Sequence, residues 1–153
     1  MSRAFVKEND DAVVALPDRP ISAHPNLVTE AGLRAIERAV AQFEAAGRAA
    51  LDNGDRQAAT NAQRELRYWR ARRSTAQLVQ PASDKERVHF GAAITLQRDD
   101  GRRQTFRIVG EDEAEPARGS VSHVSPLGRA LLGREVGETV NVPGGEATII
   151  KIE

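Results

Sequence analysis

Between Thr29 and Leu78 the apolar and small residues recur at alternating spacings of three and four. Leu33, Ile36, Val40, Phe43, Gly47 and Ala50 make one seam, and Ala62, Leu66, Trp69, Arg73 and Ala76 make a second. This rhythm is that of a narrow coiled-coil stripe, and it predicts helices over about 30–52 and 56–78. Thr29 is placed to cap the first helix. The Asn53-Gly54 break between the two is too short for anything but an antiparallel hairpin. Gly47, Ala50 and Ala62 are small, so the seam weakens toward the turn. Arg73 falls on the seam, where its stem can pack while its charged head reaches water.

Beyond a linker at Pro81–Lys85 the period changes to two. Val88, Phe90, Ala92, Ile94 and Leu96 alternate with His89, Gly91, Ala93, Thr95 and Gln97, which predicts a strand. Asp99-Asp100-Gly101 signals a hairpin turn into a second strand over Arg103–Val109. Gly110 ends that run, and the acids Glu111, Asp112, Glu113 and Glu115 are expected in a solvated turn. Ser125 suits an N-cap and Pro126 the first helical position, where a missing N–H costs nothing. Leu127, Ala130 and Leu131 share one face of the short helix that follows, and Gly133 can close it in the left-handed conformation. Val140 and Val142, a Pro143-Gly144-Gly145 turn, and Ala147–Ile152 complete the strand signals. The pattern is α+β: an N-terminal antiparallel helical hairpin, then an antiparallel sheet carrying one short helix. Three segments follow from it: an extended arm at 1–28, the hairpin at 29–80 and the sheet domain at 81–153. In the arm, Pro17, Pro20 and Pro25 oppose helix, and Asp10, Asp11 and Asp18 favour solvent. Phe5, Val13, Val14, Leu16 and Ile21 are available there to lie along a surface groove.

Charge narrows the function. The 22 basic and 22 acidic side chains cancel, so the chain is no globally basic nucleic-acid binder. The balance is local, however: five arginines against Glu65 lie between Arg64 and Arg73. Arg56, Arg64, Arg67 and Arg70 form a basic patch, read either as a solvated helix face or as a contact for RNA or a protein partner. Tyr68 and Trp69 are both able to stack on a base, although Trp69 lies on the seam. Cysteine is absent, which excludes disulfides and thiolate chemistry. His24, His89 and His123 lack metal-ligand spacing, the last two being expected in strands, and no nucleophile, base and orienter can be assembled. Neither a signal-peptide pattern nor a run of ~18 apolar residues is present. The expectation is a cytoplasmic, non-enzymatic monomer with no membrane contact, no metal of its own and no cofactor.

The C-terminal motifs go further. IVG at 108–110, DEAE at 112–115, SPLGRALLG at 125–133, VGETV at 136–140 and PGGEATIIKIE at 143–153 follow in fixed order. Together, over roughly fifty residues, they resemble the C-terminal domain of the bacterial Gre transcription factors, GreA, GreB and short relatives such as Rnk. The arm segments SRAFVKENDDA and RPISAHPN are similar to the N-terminus of a Gre-related subgroup. The resemblance implies an FKBP-like arrangement of the sheet and a bacterial RNA polymerase partner, bound at its secondary channel. It places the polymerase-binding surface at Asp112, Glu113, Glu115, Val124, Ser125, Pro126 and Leu127, with nascent RNA or DNA of the transcription complex near the hairpin.

In cleavage-stimulating Gre factors the hairpin tip carries two acids that help hold the polymerase's second catalytic Mg²⁺, for which hard carboxylate oxygens are suited. Here the family's Gly-Asp pair matches Gly54-Asp55, but Ala58 stands where the second acid is expected. Asp55 is read either as a helix N-cap or as a carboxylate lent to polymerase Mg²⁺, and Asp52 either as a second tip acid or as a solvated residue. Against cleavage-competent relatives each arm is roughly eight to ten residues shorter, which at ~1.5 Å per residue leaves the tip some 12–15 Å short. The resemblance therefore implies a polymerase-binding elongation regulator with weak or no stimulation of RNA cleavage. Alternatives are a working cleavage factor that uses Asp52 and Asp55, a regulator of a nucleotide-metabolising enzyme, and an FKBP-like prolyl isomerase. The last is disfavoured because Phe90 and Phe106 are the only aromatic rings of the sheet domain besides histidine.

Overall fold

Two long helices dominate the N-terminal half of the structure, a computed structural model that describes residues 12–153. Phe5, Asp10 and Asp11 lie outside the described residues. Helix α1 spans Glu30–Asp52 and α2 spans Arg56–Thr75, packed against each other as an antiparallel hairpin. Thr29 caps α1 as expected, its hydroxyl accepting from the Gly32 N–H at 3.0 Å. Ile36, Val40, Gly47 and Ala50 of α1 are buried with Ala59, Ala62 and Leu66 of α2, while Leu33, Phe43 and Trp69 are half-buried. Small residues let the helices approach near the turn, where a β-carbon added at Gly47 would lie 3.8 Å from that of Ala62.

The helical rhythm fails at its far end. Arg73 is exposed, and Arg72 is the buried arginine. The helix stops at Thr75 rather than Leu78, because Gln77–Leu78 becomes a two-residue strand, β2, paired in parallel with β1 at Leu27–Val28. The Gln77 N–H donates to the Asn26 carbonyl and Val79 N–H to that of Val28, so the ribbon closes the base of the hairpin.

The sheet domain has five strands in the order β5-β4-β3-β7-β6. They are β3 Ala93–Arg98, β4 Arg103–Val109, β5 Ser120–Ser122, β6 Thr139–Val142 and β7 Gly145–Ile152. Strand β3 begins five residues later than the alternation at Val88 predicts. Gly91 takes a φ of 87°, and the Ala92 N–H turns back to the His89 carbonyl, so Val88–Ala92 forms a turn instead. His89 is therefore outside any strand, and His123 lies just after β5. The sheet is mixed rather than wholly antiparallel: β4 and β5 run parallel, joined by the acidic loop and a short 3₁₀ turn at Pro116–Arg118. A pair of parallel neighbours needs a crossover, and this loop supplies one.

One core serves the domain. Ile94, Leu96, Ile108, Leu131 and Ile149 are wholly or almost wholly enclosed, with Val88, Val121 and Ala147 around them. Helix α3, Pro126–Leu131, lies on this core through Leu131, Leu127 and Ala130, and Gly133 ends it at a φ of 80°. Among the described residues no helix is long and apolar enough to cross a membrane.

Candidate functional site

The sequence-predicted sites are the hairpin tip, the basic patch on α2, and the α3 turn with the acidic loop, and the fold separates the tip from the α3 turn. At the tip, Asp55 has non-helical dihedrals, and its Oδ1 accepts the Ala58 N–H at 3.0 Å. It is an N-cap at the positive end of α2, a role worth about 0.5–2 kcal/mol. One oxygen of its carboxylate is thus engaged in the cap. Asp52 ends α1 exposed to solvent, and Leu51 beside it is exposed as well. Among the described residues no group of three or more His, Cys, Asp or Glu could hold a metal.

The basic patch is largely paired within the molecule. Arg70 meets Glu44 of α1 at 3.0 Å. Arg64 and Arg67 are engaged by the arm: Arg64 Nε donates to the Pro17 carbonyl at 2.6 Å, and Arg67 pairs with Asp18 at 2.7 Å. Arg56 at the tip is exposed. The arm does follow a surface path along α2, but Val14, Leu16 and Ile21 face outward and only Val13 is half-buried.

At the other site, Ser125 works twice. Its hydroxyl accepts from the Gly128 N–H at 3.1 Å and donates to the Ser122 carbonyl at 2.6 Å. Pro126 is exposed at the first helical position, Val124 and Ser125 are partly exposed, and Leu127 is half-buried against the core. A β-carbon at Gly128 would meet the Ser122 carbonyl oxygen at 2.3 Å, so only glycine permits α3 to lie this close to β5. These two bonds and the close glycine approach fix the turn's shape, and it presents a small polar-apolar surface.

The acidic loop divides. Glu115 is exposed as expected and pairs locally with Arg118. Asp112 is not solvated: it is enclosed against the hairpin, accepting from Arg72 Nε at 2.6 Å and from the Tyr68 hydroxyl. Glu113 accepts the Thr29 hydroxyl proton at 2.6 Å, placing a carboxylate at the positive end of α1. Arg72 also donates to Asn26 Oδ1 at 2.8 Å and faces Glu111 at 3.7 Å. Asn26 in turn donates to the Arg72 carbonyl at 2.7 Å. Burial, and then the bond to Asp112, push the Tyr68 phenol up to about 12, so it remains a donor at any physiological pH. This lock between hairpin and sheet domain is invisible locally, since its partners lie about forty or more residues apart in sequence. The one signal was an arginine near a seam.

His123, buried against Phe90 in a T-shaped contact at 5.5 Å, has no hydrogen-bond partner at Nε2. Desolvation holds its pKa below the ordinary histidine value against the opposing pull of Glu111. The unfolded chain therefore takes up this proton at higher pH than the folded one. The neutral ring's contribution is complete above about pH 6.5 and is lost as pH falls through the folded value, at no more than ~1.4 kcal/mol per pH unit. Replacing His123 with phenylalanine should flatten the fall in unfolding free energy between pH 7 and 5. Denaturant titrations at successive pH values check this, and an unchanged slope would count against it.

The fold defines a class: a small α+β protein in which a helical hairpin is bonded to a five-stranded sheet domain. Residues 83–153, the sheet domain, match the family model "Transcription elongation factor, GreA/GreB, C-term". The chain is similar to a transcription elongation factor GreA of Alkalilimnicola ehrlichii, 47% identical over 78 residues, covering 48% of this chain and 49% of that one. A GreA of Desulfovibrio desulfuricans is 40% identical over 91 residues, 57% of this chain and 56% of that one. A GreB of Neisseria meningitidis serogroup B is 40% identical over 96 residues, 59% of each. The matches thus span about half the length of these curated relatives. Among solved structures, GreA factor homolog 1 (Gfh1) of Thermus thermophilus covers 85% of this chain and 99% of that one, at 21% identity and a TM-score of 0.42.

Proposed function

We propose that the chain is a regulator of transcription elongation that binds bacterial RNA polymerase and does not itself act as an enzyme. Its sheet domain docks through the Val124-Ser125-Pro126 turn with Glu115 at the rim, and its hairpin enters the secondary channel. The observation that carries this reading is the family match over the sheet domain, combined with a turn that is hydrogen-bonded in place and partly exposed. Asp112 and Glu113 serve the same surface indirectly, by fixing the hairpin to it. The finer proposal is that cleavage stimulation is weak or absent. At the tip Ala58 replaces an acid and Asp55 is engaged as a cap, leaving Asp52 as the one wholly uncommitted carboxylate of the pair.

Docking is tested by placing charged side chains on the turn. The double variant Ser125→Asp with Pro126→Lys keeps an acceptor at the N-cap, so the helix start survives. Capture of core RNA polymerase by the tagged variant should fall to background while its circular dichroism and melting temperature stay near wild type. Undiminished capture would reject the surface.

A further inference from the structure

We infer that the arm, residues 13–19, is a reversible mask over a single-strand-binding ridge on α2, occupying it as a strand mimic. The inference rests on the reading above that the hairpin works beside nucleic acid. Arg64 and Arg67 are three apart, so they project from one face, with Tyr68 next to them. Guanidinium groups beside an aromatic ring are the elements with which proteins hold single strands: cations for phosphates and a ring face for a base. In this structure the arm fills each of these places. The Asp18 carboxylate sits on Arg67 at 2.7 Å, and the Pro17 carbonyl accepts from Arg64 at 2.6 Å. The planar guanidinium of Arg19 lies 3.7 Å over the centre of the Tyr68 ring, where a base would stack, and pairs with Glu65 at 2.8 Å. Nearer the tip, Val14 exchanges two hydrogen bonds with the Gln57 amide.

The manner of attachment makes the mask detachable. Val14, Leu16 and Ile21 are exposed, so little apolar burial holds this segment down. Its fastenings are ion pairs and hydrogen bonds at the surface, each weak and screened by salt. A polyanion competes for the same two arginines and gains the Tyr68 face once Arg19 leaves.

The test uses the full chain with Asp18→Asn and Arg19→Ala together, which removes one negative and one positive charge and leaves the net charge unchanged. Binding of a fluorescent single-stranded oligoribonucleotide is followed by anisotropy across a salt series, without polymerase. The variant should bind roughly five- to tenfold tighter at low salt, and its log–log salt slope should steepen by about 1.4, the signature of two freed phosphate contacts. Adding Arg64→Glu and Arg67→Glu should abolish the gain. The single tryptophan, Trp69, lies 5.6 Å from the Arg19 guanidinium and reports the arm independently. Its emission should shift with added salt in wild type and not in the variant. Equal affinity of wild type and variant, or a gain that survives loss of both arginines, would overturn the inference. A gain in polymerase capture without a gain in oligoribonucleotide binding would overturn the nucleic-acid assignment in favour of a protein partner. The docking variant at Ser125 and Pro126 is read separately, so failure of the mask leaves the docking proposal standing.

Discussion

Replacing Arg72 with alanine should lower the unfolding free energy by about 3–5 kcal/mol, the usual cost of removing one member of a buried ion pair. The side chain is 2% exposed and its partner Asp112 10%, so little water is available to either. Truncation strands the Asp112 carboxylate beside the Tyr68 hydroxyl, leaves Asn26 Oδ1 without its donor, and removes the cation facing Glu111. The size of the effect comes from those orphaned groups more than from any large net gain of the intact pair. Exchanging Arg72 for methionine together with Asp112 for leucine should recover only part of the loss: it removes the stranded carboxylate, but Asn26 Oδ1 stays without its donor and the Tyr68 hydroxyl loses its acceptor. Chemical denaturation of the three proteins measures both quantities. A cost below about 1 kcal/mol for the alanine variant would show that the pair is effectively solvated. The single variant should also lose protection of the α2 C-terminal amides in hydrogen exchange, because the same arginine ties that end to the acidic loop.

The hairpin was legible because its signal is periodic and long. Ile36, Val40, Ala62 and Leu66 are buried as the spacing requires. The sheet was legible where turn residues mark it, at Gly101 and at Gly144-Gly145, and less so where a glycine interrupts an apolar alternation. Val88 and Phe90 are core residues, as their hydrophobicity suggests, yet Gly91 bends their backbone out of the strand. Arg72 was missed by one position because the helix ends at Thr75, and the last turn answers to the buried Asn26 and Asp112 rather than to the partner helix. The acids at 112 and 113 look like a solvated run in sequence, since their partners Arg72, Tyr68 and Thr29 come from distant segments. Charge alone does not say whether a carboxylate faces water or an arginine. The Ser125 cap was the easiest site feature to foresee, because Ser-Pro before an apolar triplet encodes a helix start locally.

Stimulation of RNA cleavage should be weak or absent, and this is the second large effect expected. Holding a catalytic Mg²⁺ between polymerase and an inserted tip requires carboxylates placed to within a fraction of an ångström, and a misplacement of about 1 Å is already costly. On the reading proposed above, the tip falls short of both requirements. Ala58 supplies no oxygen, and Asp55 gives one of its own to the α2 N-terminus. The helices of 23 and 20 residues reach only about 30–35 Å at ~1.5 Å per residue. Asp52 is the one feature that works the other way, being exposed at the end of α1. The decisive measurement takes a stalled, backtracked RNA polymerase complex with Mg²⁺, adds the wild-type protein or the Asp52→Ala or Asp55→Ala variant, and records binding and transcript shortening together. Saturable binding with no shortening above the polymerase's own rate, unchanged in either variant, is the predicted result. Robust shortening by the wild type that disappears in both variants would contradict it and make the chain a working cleavage factor.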